Sequence, residues 1–541
     1  MKNKIISLVF LTTILFLLNN CSKEDLLDKS PQDAPNSSNF FVDASTARKA
    51  DIGIITNWTT YWVYQNQMVN VLDIMSDDSY TRLNSADRYA ELQWTFGASG
   101  PVTDDIFANW WLQIYMSINS ANFAIDYIPN SSDPKFTPEL QKPYIGVAKM
   151  MRAFSYIYLT TLWGDVPLHK NFIVNVADSY VAKSPKSEIL QFAIEDLKYA
   201  TENIPEKWSG NDLGLPDKAA AAGLLARAYL CANDYPNAEI AAKNAIDIAD
   251  ASGYGLMDNY GDMIAVQPNK ELIFTLNFLA NDATGANSNS MTVTRICRDA
   301  PYFIQDEFMG RGWGYALPTR DLYDAFEPGD PRRKASIWAP GDFYTIHHGA
   351  TQVYTNSVTN VTTTYNEGDT IKYQAGWSKS NMNTRKVVHS ILGLSSVDRD
   401  GYNIPILRYA ELYLYYAEAL IENNKISEGL DQINKVRARP SVNMPPLSAS
   451  DQTDARVKLR HERRVELNME GIRVFDLLRW GILKDVFGEG TATSPSHKVL
   501  MIWGDNSTYK DTQCQFPKNY VLPIPQTEID INKLMEQNTG Y

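Results

Sequence analysis

The sequence predicts a mainly α protein in which tetratricopeptide-like helical hairpins form a scaffold that carries an irregular, loop-rich insertion with minor β content. Three observations carry that prediction. From Pro35 to about Asp250 the chain reads as helices, with apolar residues recurring at helical spacing. Two hairpin units, Asp217 to Asp250 and Tyr409 to Arg439, repeat one spacing of small or apolar packing residues. Between them, from about Gly253 to Asn403, Gly, Asn, Asp, Ser and Thr become dense and the texture changes.

The chain has 541 residues, long for one domain at roughly 100–200 residues each. At 44% hydrophobic and 21% charged it has the make-up of a globular protein with a sizeable core, which excludes a disordered chain, a collagen and a polytopic membrane protein. Its 63 acids against 50 bases leave a net charge of −13, which argues against nucleic acid as a partner, because phosphates need a basic surface. The unusual count is aromatic, with 30 Tyr, 20 Phe and 12 Trp. A core of this size absorbs most of them, so position decides their role.

Residues 1–20 read as a signal peptide. Lys2 and Lys4 precede the mostly apolar run from Ile5 to Leu18, too short for a spanning helix of about 20 apolar residues. Cys21 stands where a lipoprotein signal places its acylated cysteine, although Asn20 before it is not small. Simple secretion with cleavage nearby is the other reading. No later segment reaches spanning length, so anchorage rests on acyl chains at about 0.8 kcal/mol per buried methylene. Cys231, Cys297 and Cys514 are too widely spaced for a disulfide framework or a CxxC zinc site, and Cys231 reads as a small buried hydrophobe.

The elements follow in order. Trp58 and Trp62, four apart, fit one helix face. Phe107 to Ile128 and Tyr144 to Leu162 are helices, the second ended by Gly164; another runs from Ser184-Pro185 toward Asn203, with Pro205 beyond it. In the first hairpin Leu225, Ala226 and Tyr229 take packing positions on one helix. Ala238, Ala242 and Ala245 supply small residues on the other, and Ala222 stands where the repeat has Trp. In the second, Tyr409 to Glu422 is followed by a turn at Asn423-Asn424-Lys425 and by Ile426 to Arg439, where Gly429, Ile433 and Val436 mirror the alanines. Such repeats bind partners through a concave face or only pack on each other; both readings stand. Thr351 to Tyr365 reads as strands. The boundaries are 1–20, 21–250, 251–403 and 404–541.

Arg456 to Trp480 reads as a single helix on which Glu462, Glu466 and Glu470 recur at i,i+4, bridged by Arg463 and Arg473 at three-residue offsets. Carboxylates flanked by Arg stay ionised and suit acid catalysis poorly, so the string reads as structural.

Several strings resemble one family, the SusD/RagB-like outer-membrane lipoproteins. They are Arg152-Ala153-Phe154 with Tyr156, Leu162 to Leu168, Ala220 to Tyr229, Asp321 to Arg333, Glu462 through Trp480, Tyr520 to Pro525, and Gln537 to Tyr541. They span nearly the whole mature chain in order. The resemblance implies a SusD-like fold and a binding protein, not an enzyme. Such a protein captures oligosaccharide or polysaccharide and passes it to a SusC-like TonB-dependent transporter, held on the outer membrane by a lipid anchor. Ser22-Lys23-Glu24-Asp25 resembles a surface-export signal, which turns the protein to the exterior. Peptide or glycoprotein capture is the alternative within that architecture; a secreted glycoside hydrolase, needing two carboxyl groups roughly 5–9.5 Å apart, is the rival of another class. A pure assembly scaffold is a third reading.

Sugar rings present flat apolar faces edged by hydroxyls, so exposed loop aromatics are the candidates. The resemblance points first to Trp94, Tyr302 and Trp313 and second to Trp338, with Asp78 and Arg311 among the polar candidates beside Asp77, Arg82, Asn287, Asn289 and Arg298. Trp377 also has loop context, whereas Trp110, Trp111, Trp163 and Trp480 read as core. His347-His348 and His389 lack ligand spacing for a metal, and no P-loop, dinucleotide or G-x-S-x-G string appears, so no cofactor is expected.

Overall fold

Local chemistry starts each helix of the frame. In a computed structural model, the described residues are 40–81, 105–282, 288–290, 294–295, 312–345, 352–355, 362–366, 368–387, 399–491 and 493–541. Helix α1, Ala44–Thr56, opens with a capping box: Thr46 N donates to Asp43 Oδ1 at 2.9 Å and Asp43 N donates to Thr46 Oγ1 at 3.0 Å. A π turn at Tyr61–Gln65 with non-helical Val63 precedes α2, Gln67–Ile74, whose residues are all buried. Trp58 and Trp62 therefore do not share one helix: Trp58 lies in the core, 4.4 Å from Phe154, and Trp62 is half-buried beyond the turn.

Helix α3 is Asp105–Tyr127 and α4 is Pro138–Trp163. The latter begins six residues before the expected Tyr144, because Pro138 sits in its first turn, where no N–H is missed. It ends at Gly164, whose φ of +76° a side chain would resist. Then come α5 (Lys186–Asn203), α6 (Lys218–Cys231), α7 (Tyr235–Ala251) and the short α8 (Asp262–Ala265). The middle contributes α9 (Arg320–Ala325) and α10 (Pro331–Ser336). The C-terminal part holds α11 (Tyr409–Glu422), α12 (Ile426–Arg437), α13 (Gln452–Leu467), α14 (Arg473–Arg479), α15 (Leu483–Phe487) and α16 (Gln526–Ile531).

Helices α3 to α7 pack each on the next, and α7 then packs on α11 and α11 on α12, so the stack continues although residues 252–408 intervene. The small residues make this close approach possible. Ala238, Ala242 and Ala245 are fully buried, and a Cβ on Gly429 would come within 2.6 Å of Ile421 Cγ1 and 3.0 Å of the Ala417 carbonyl oxygen. The strand Leu272–Leu276 pairs antiparallel with Ile404–Arg408, which brings both ends of the intervening segment to one place on the frame. Among the described residues of that segment, pairing takes the form of short two-stranded pieces, including the hairpin Gln352–Thr355 with Thr362–Tyr365.

Arg456 to Trp480 is not one helix. It breaks between α13 and α14, where Met469 and Gly471 have φ of +59° and +75° and Gly471 N donates to Asp73 Oδ1 at 2.8 Å. Cys231 and Cys514 are free and buried; Cys297 lies outside the described residues. Among the described residues no helix is long and apolar enough to cross a membrane.

Candidate ligand-binding site

The turn after α2 is fixed by charge. Arg473 donates from Nε and Nη2 to the two oxygens of Asp77 at 2.8 and 2.9 Å. Arg464 donates to Asp78 at 2.7 Å and to Asp321 at 2.9 Å. Burial opposes ionisation of Asp77, but Arg464 and Arg473 outweigh it and hold this carboxyl well below the usual range. Asp78, also buried and beside the charged Asp77, is pushed up to about 6. Beneath them the ammonium of Lys510 gives its three hydrogens to the carbonyls of Ile74, Ser76 and Ser79 at 2.7, 2.7 and 2.9 Å. Burial lowers Lys510 to about 7 and raises the nearby Cys514 thiol to about 12.

On this floor the strand Ser79–Tyr80 pairs with Leu317–Pro318, and the Thr319 hydroxyl donates to the Asp77 carbonyl at 2.7 Å. Immediately before that strand stand Trp313 and Tyr315, both half-buried, with ring centroids 5.4 Å apart and planes at 47°. Tyr315 N donates to the Thr294 carbonyl at 2.6 Å, and the Thr384 hydroxyl donates to the Ala316 carbonyl at 2.8 Å. Next to Thr294, the fully buried Arg295 pairs with Asp73 at 2.7 Å and donates to the carbonyls of Val69 and Met469. An aromatic pair is thus held by backbone bonds over an ion-paired base. Two inclined rings can offer stacking faces to a ligand without moving.

Trp94, Tyr302 and Arg311 lie outside the described residues, as do Arg82, Asn287 and Arg298. Their described neighbours Thr81 and Arg295 are both buried in the same floor.

Five of the described candidates are buried. Trp338 is not a loop tryptophan: the strand Ile337–Trp338 pairs with Asn383–Thr384, its ring is 3% exposed, and the Arg385 guanidinium lies 4.2 Å from its centroid. Asp78 is fully buried and committed to Arg464, so it cannot reach a ligand hydroxyl. Asp77 shares that fate. Trp377 is buried against Tyr373, and Asn289 is buried in a bridge to Asp400. Of the tryptophans expected in the core, Trp110, Trp111 and Trp163 are buried, whereas Trp480 is half-buried and donates to Glu418. Tyr315 was hidden inside a glycine-rich string, and Lys510 had no local signal at all.

The carboxylates of α13 and the turn after it are consumed by cations. Glu466 accepts from Arg408 at 2.7 Å, Arg439 at 2.9 Å and Arg332 at 3.1 Å. Burial opposes its charge, but these guanidiniums hold it at about 2. Glu470 is bound by Arg408 and Lys386, and Glu462 by Arg332 and Arg437. A general acid needs a raised pKa, and Glu466 and Glu470 are both shifted the opposite way by the cations around them. Glu327, His461 and Glu462 come together with metal-like spacing, yet Arg437 already bridges the two glutamates at 2.6 and 2.9 Å. The guanidinium is the cation there.

A model described as the SusD family matches residues 270–541, and one described as starch-binding associating with outer membrane matches residues 25–230. The chain is 26% identical to SusD-like protein P2 of Formosa agariphila over the whole of both chains. It is 22% identical to the starch-binding protein SusD of Bacteroides thetaiotaomicron, over 80% of this chain and 78% of that protein. In fold it is similar to a SusD-like protein from Bacteroides fragilis, with TM-score 0.72 and 22% identity over 95% of this chain and all of that one. It is also similar to surface glycan-binding protein A from Bacteroides fluxus, with TM-score 0.70 and 20% identity over 92% of this chain and all of that one. With a mostly helical frame and family matches over both halves, the chain belongs to the SusD family.

Proposed function

We propose that this chain is a surface-exposed lipoprotein, anchored in the outer membrane through Cys21, that captures oligosaccharide or polysaccharide without chemistry. It delivers that cargo to a SusC-like TonB-dependent transporter. The observation that carries the reading is the half-buried Trp313–Tyr315 pair, mounted on the charge-locked floor at the residues that flank the Trp94 and Tyr302 segments. Indole and phenol faces match the apolar C–H faces of pyranose rings, and a rigid mount spares the ligand an ordering cost. Relatives named as starch-binding and surface glycan-binding proteins support the ligand class. The arginine-bound carboxylates speak against the hydrolase reading, since a glycosidase needs one carboxyl group able to give up a proton to the leaving oxygen.

The test is a glycan array followed by calorimetry on the chain from residue 22. Trp313→Ala, combined with Trp94→Ala, weakens binding at least several-fold while the melting temperature holds. Unchanged affinity discards the site, new reducing ends discard the binding-only reading, and affinity for peptides alone discards the ligand class.

A further inference from the structure

Two guanidinium groups inside the helical frame carry N–H groups that meet no acceptor. A cavity of about 30 Å³ lies between α4, α6, α11, α13 and α14, room for one or two water-sized bodies at roughly 10–15 Å³ each. Arg463, 1% exposed, lines it. Its Nε and Nη2 donate to the two oxygens of Asp476 at 2.8 and 2.9 Å, and its Nη1 is buried with no acceptor among the described residues. Arg227 lines the same cavity. Its Nε donates to the Tyr415 hydroxyl at 2.6 Å and its Nη2 to the Ile406 carbonyl at 2.7 Å and to Glu411 at 3.2 Å. Its Nη1 is left with no acceptor among the described residues. A charged donor unpaired in the interior is costly, and two on one small cavity call for a shared partner.

That partner has to accept without donating. The carboxylates on the wall are already taken: Asp476 receives Arg463 and Arg479, and Glu411 receives Arg227 and the Tyr415 hydroxyl. A water molecule would bring two hydrogens to carboxylates that are in use, whereas an anion brings only lone pairs. Charge points to the same sign. The lining holds three guanidiniums, Arg227, Arg463 and Arg479, against two carboxylates, Glu411 and Asp476. The next layer adds Arg456 and Arg460 against Glu418 and Glu422, equal numbers, so one positive charge stays in surplus. Size narrows the class further, since about 30 Å³ suits a monatomic ion and is too small for a phosphate or a sugar acid.

We infer that this cavity binds one halide ion, chloride in the natural setting, between Arg227 and Arg463. Arg227 belongs to the first hairpin and Arg463 to the C-terminal part, so the ion joins two portions of the frame that the middle segment separates in sequence. The site is independent of the aromatic pair and of the glycan reading.

Crystals of the mature protein grown with sodium bromide in place of chloride test it, with diffraction measured at the bromine absorption edge. The expected result is an anomalous peak between Arg227 Nη1 and Arg463 Nη1. A water at that place without anomalous signal, or bromide on the surface alone, overturns the inference. In solution, thermal melts at constant ionic strength exchange gluconate for chloride. The melting temperature rises by about 1 °C for each tenfold increase of chloride above its dissociation constant. Cys231→Met, which fills the cavity from its wall and keeps every arginine, abolishes that rise. A bromide peak with no chloride-dependent stabilisation marks an adventitious ion only and overturns the inference, as does a rise of undiminished size in Cys231→Met.

Discussion

Replacing Glu466 by Gln keeps the shape of the side chain and removes one charge facing Arg332, Arg408 and Arg439, each no more than 1% exposed. Two routes give the cost. Glu466 is held at about 2 against an ordinary 4.5, and at 1.36 kcal/mol per unit that is roughly 3 kcal/mol of native-state stability at neutral pH. Deleting one partner of a buried ion pair costs about 3–5 kcal/mol. Because the folded value lies below the unfolded one, this stability is complete above about pH 4.5 and is lost as pH falls toward about 2. Urea unfolding followed by tryptophan fluorescence at pH 7, 5, 4 and 3 reads the difference between parent and Glu466→Gln. The gap is largest at pH 7 and 5 and closes on acidification. A gap under about 1 kcal/mol at pH 7, or one that does not change with pH, refutes the argument. The exposed Lys243–Asp247 pair is the control, and Lys243→Ala leaves the midpoint unmoved.

Asp51 is fully buried with neither carboxyl oxygen partnered, and burial together with the nearby Asp212 raises its pKa well above the ordinary value. The native state therefore loses stability as pH rises above about 3.8, so Asp51→Asn raises the melting temperature more at pH 8 than at pH 5; an equal rise at both fails the prediction. Gly429→Ala drives a methyl into Ile421 and the Ala417 carbonyl and costs about 1–3 kcal/mol by urea denaturation; a neutral result would mean that α11 and α12 part without penalty. Lys510→Met strips three buried carbonyls of their donor, at about 1–3 kcal/mol for each acceptor left unpaired, and loosens the Trp313–Tyr315 mount as well. Amide exchange at Tyr80 and Leu317 should accelerate in that variant, and unchanged protection there would detach the lysine from the platform.

What was legible in the sequence was local. Tyr409–Glu422 forms as one helix between the predicted ends because its apolar period and its Asn-Asn-Lys turn are both written within a few residues. Gly164 ends α4 for an equally local reason, and the small residues at 238, 242, 245 and 429 state their own close packing. What failed depended on distant partners. Glu462, Glu466 and Glu470 keep a helical spacing through a helix that stops, because the stop is set by Gly471 reaching Asp73. Trp338 stands before a real Pro340-Gly341 turn, yet it is buried, paired with Asn383–Thr384 and covered by Arg385. Asp78 looked like a loop carboxylate until Arg464, far along the chain, took it.

These long-range ties explain how the described part of the middle segment, with its short strands, keeps a defined aromatic pair. Among the described residues, its strand pairs within 252–408 are two to five residues long, too short to set register by themselves. Apolar contacts tolerate sliding, since one methyl packs nearly as well as its neighbour. A buried guanidinium does not, because displaced by one residue it leaves two charges unpaired at a cost of several kcal/mol. Glu271, Arg332 and Lys386 from the middle of the chain are each bound into the ion cluster around Glu466 and Glu470. Arg295 does the same between α2 and the break after α13, one residue past the Thr294 carbonyl that holds Tyr315. The charges therefore fix the register of the described middle segments on the helical frame, which the short strand pairs could not do.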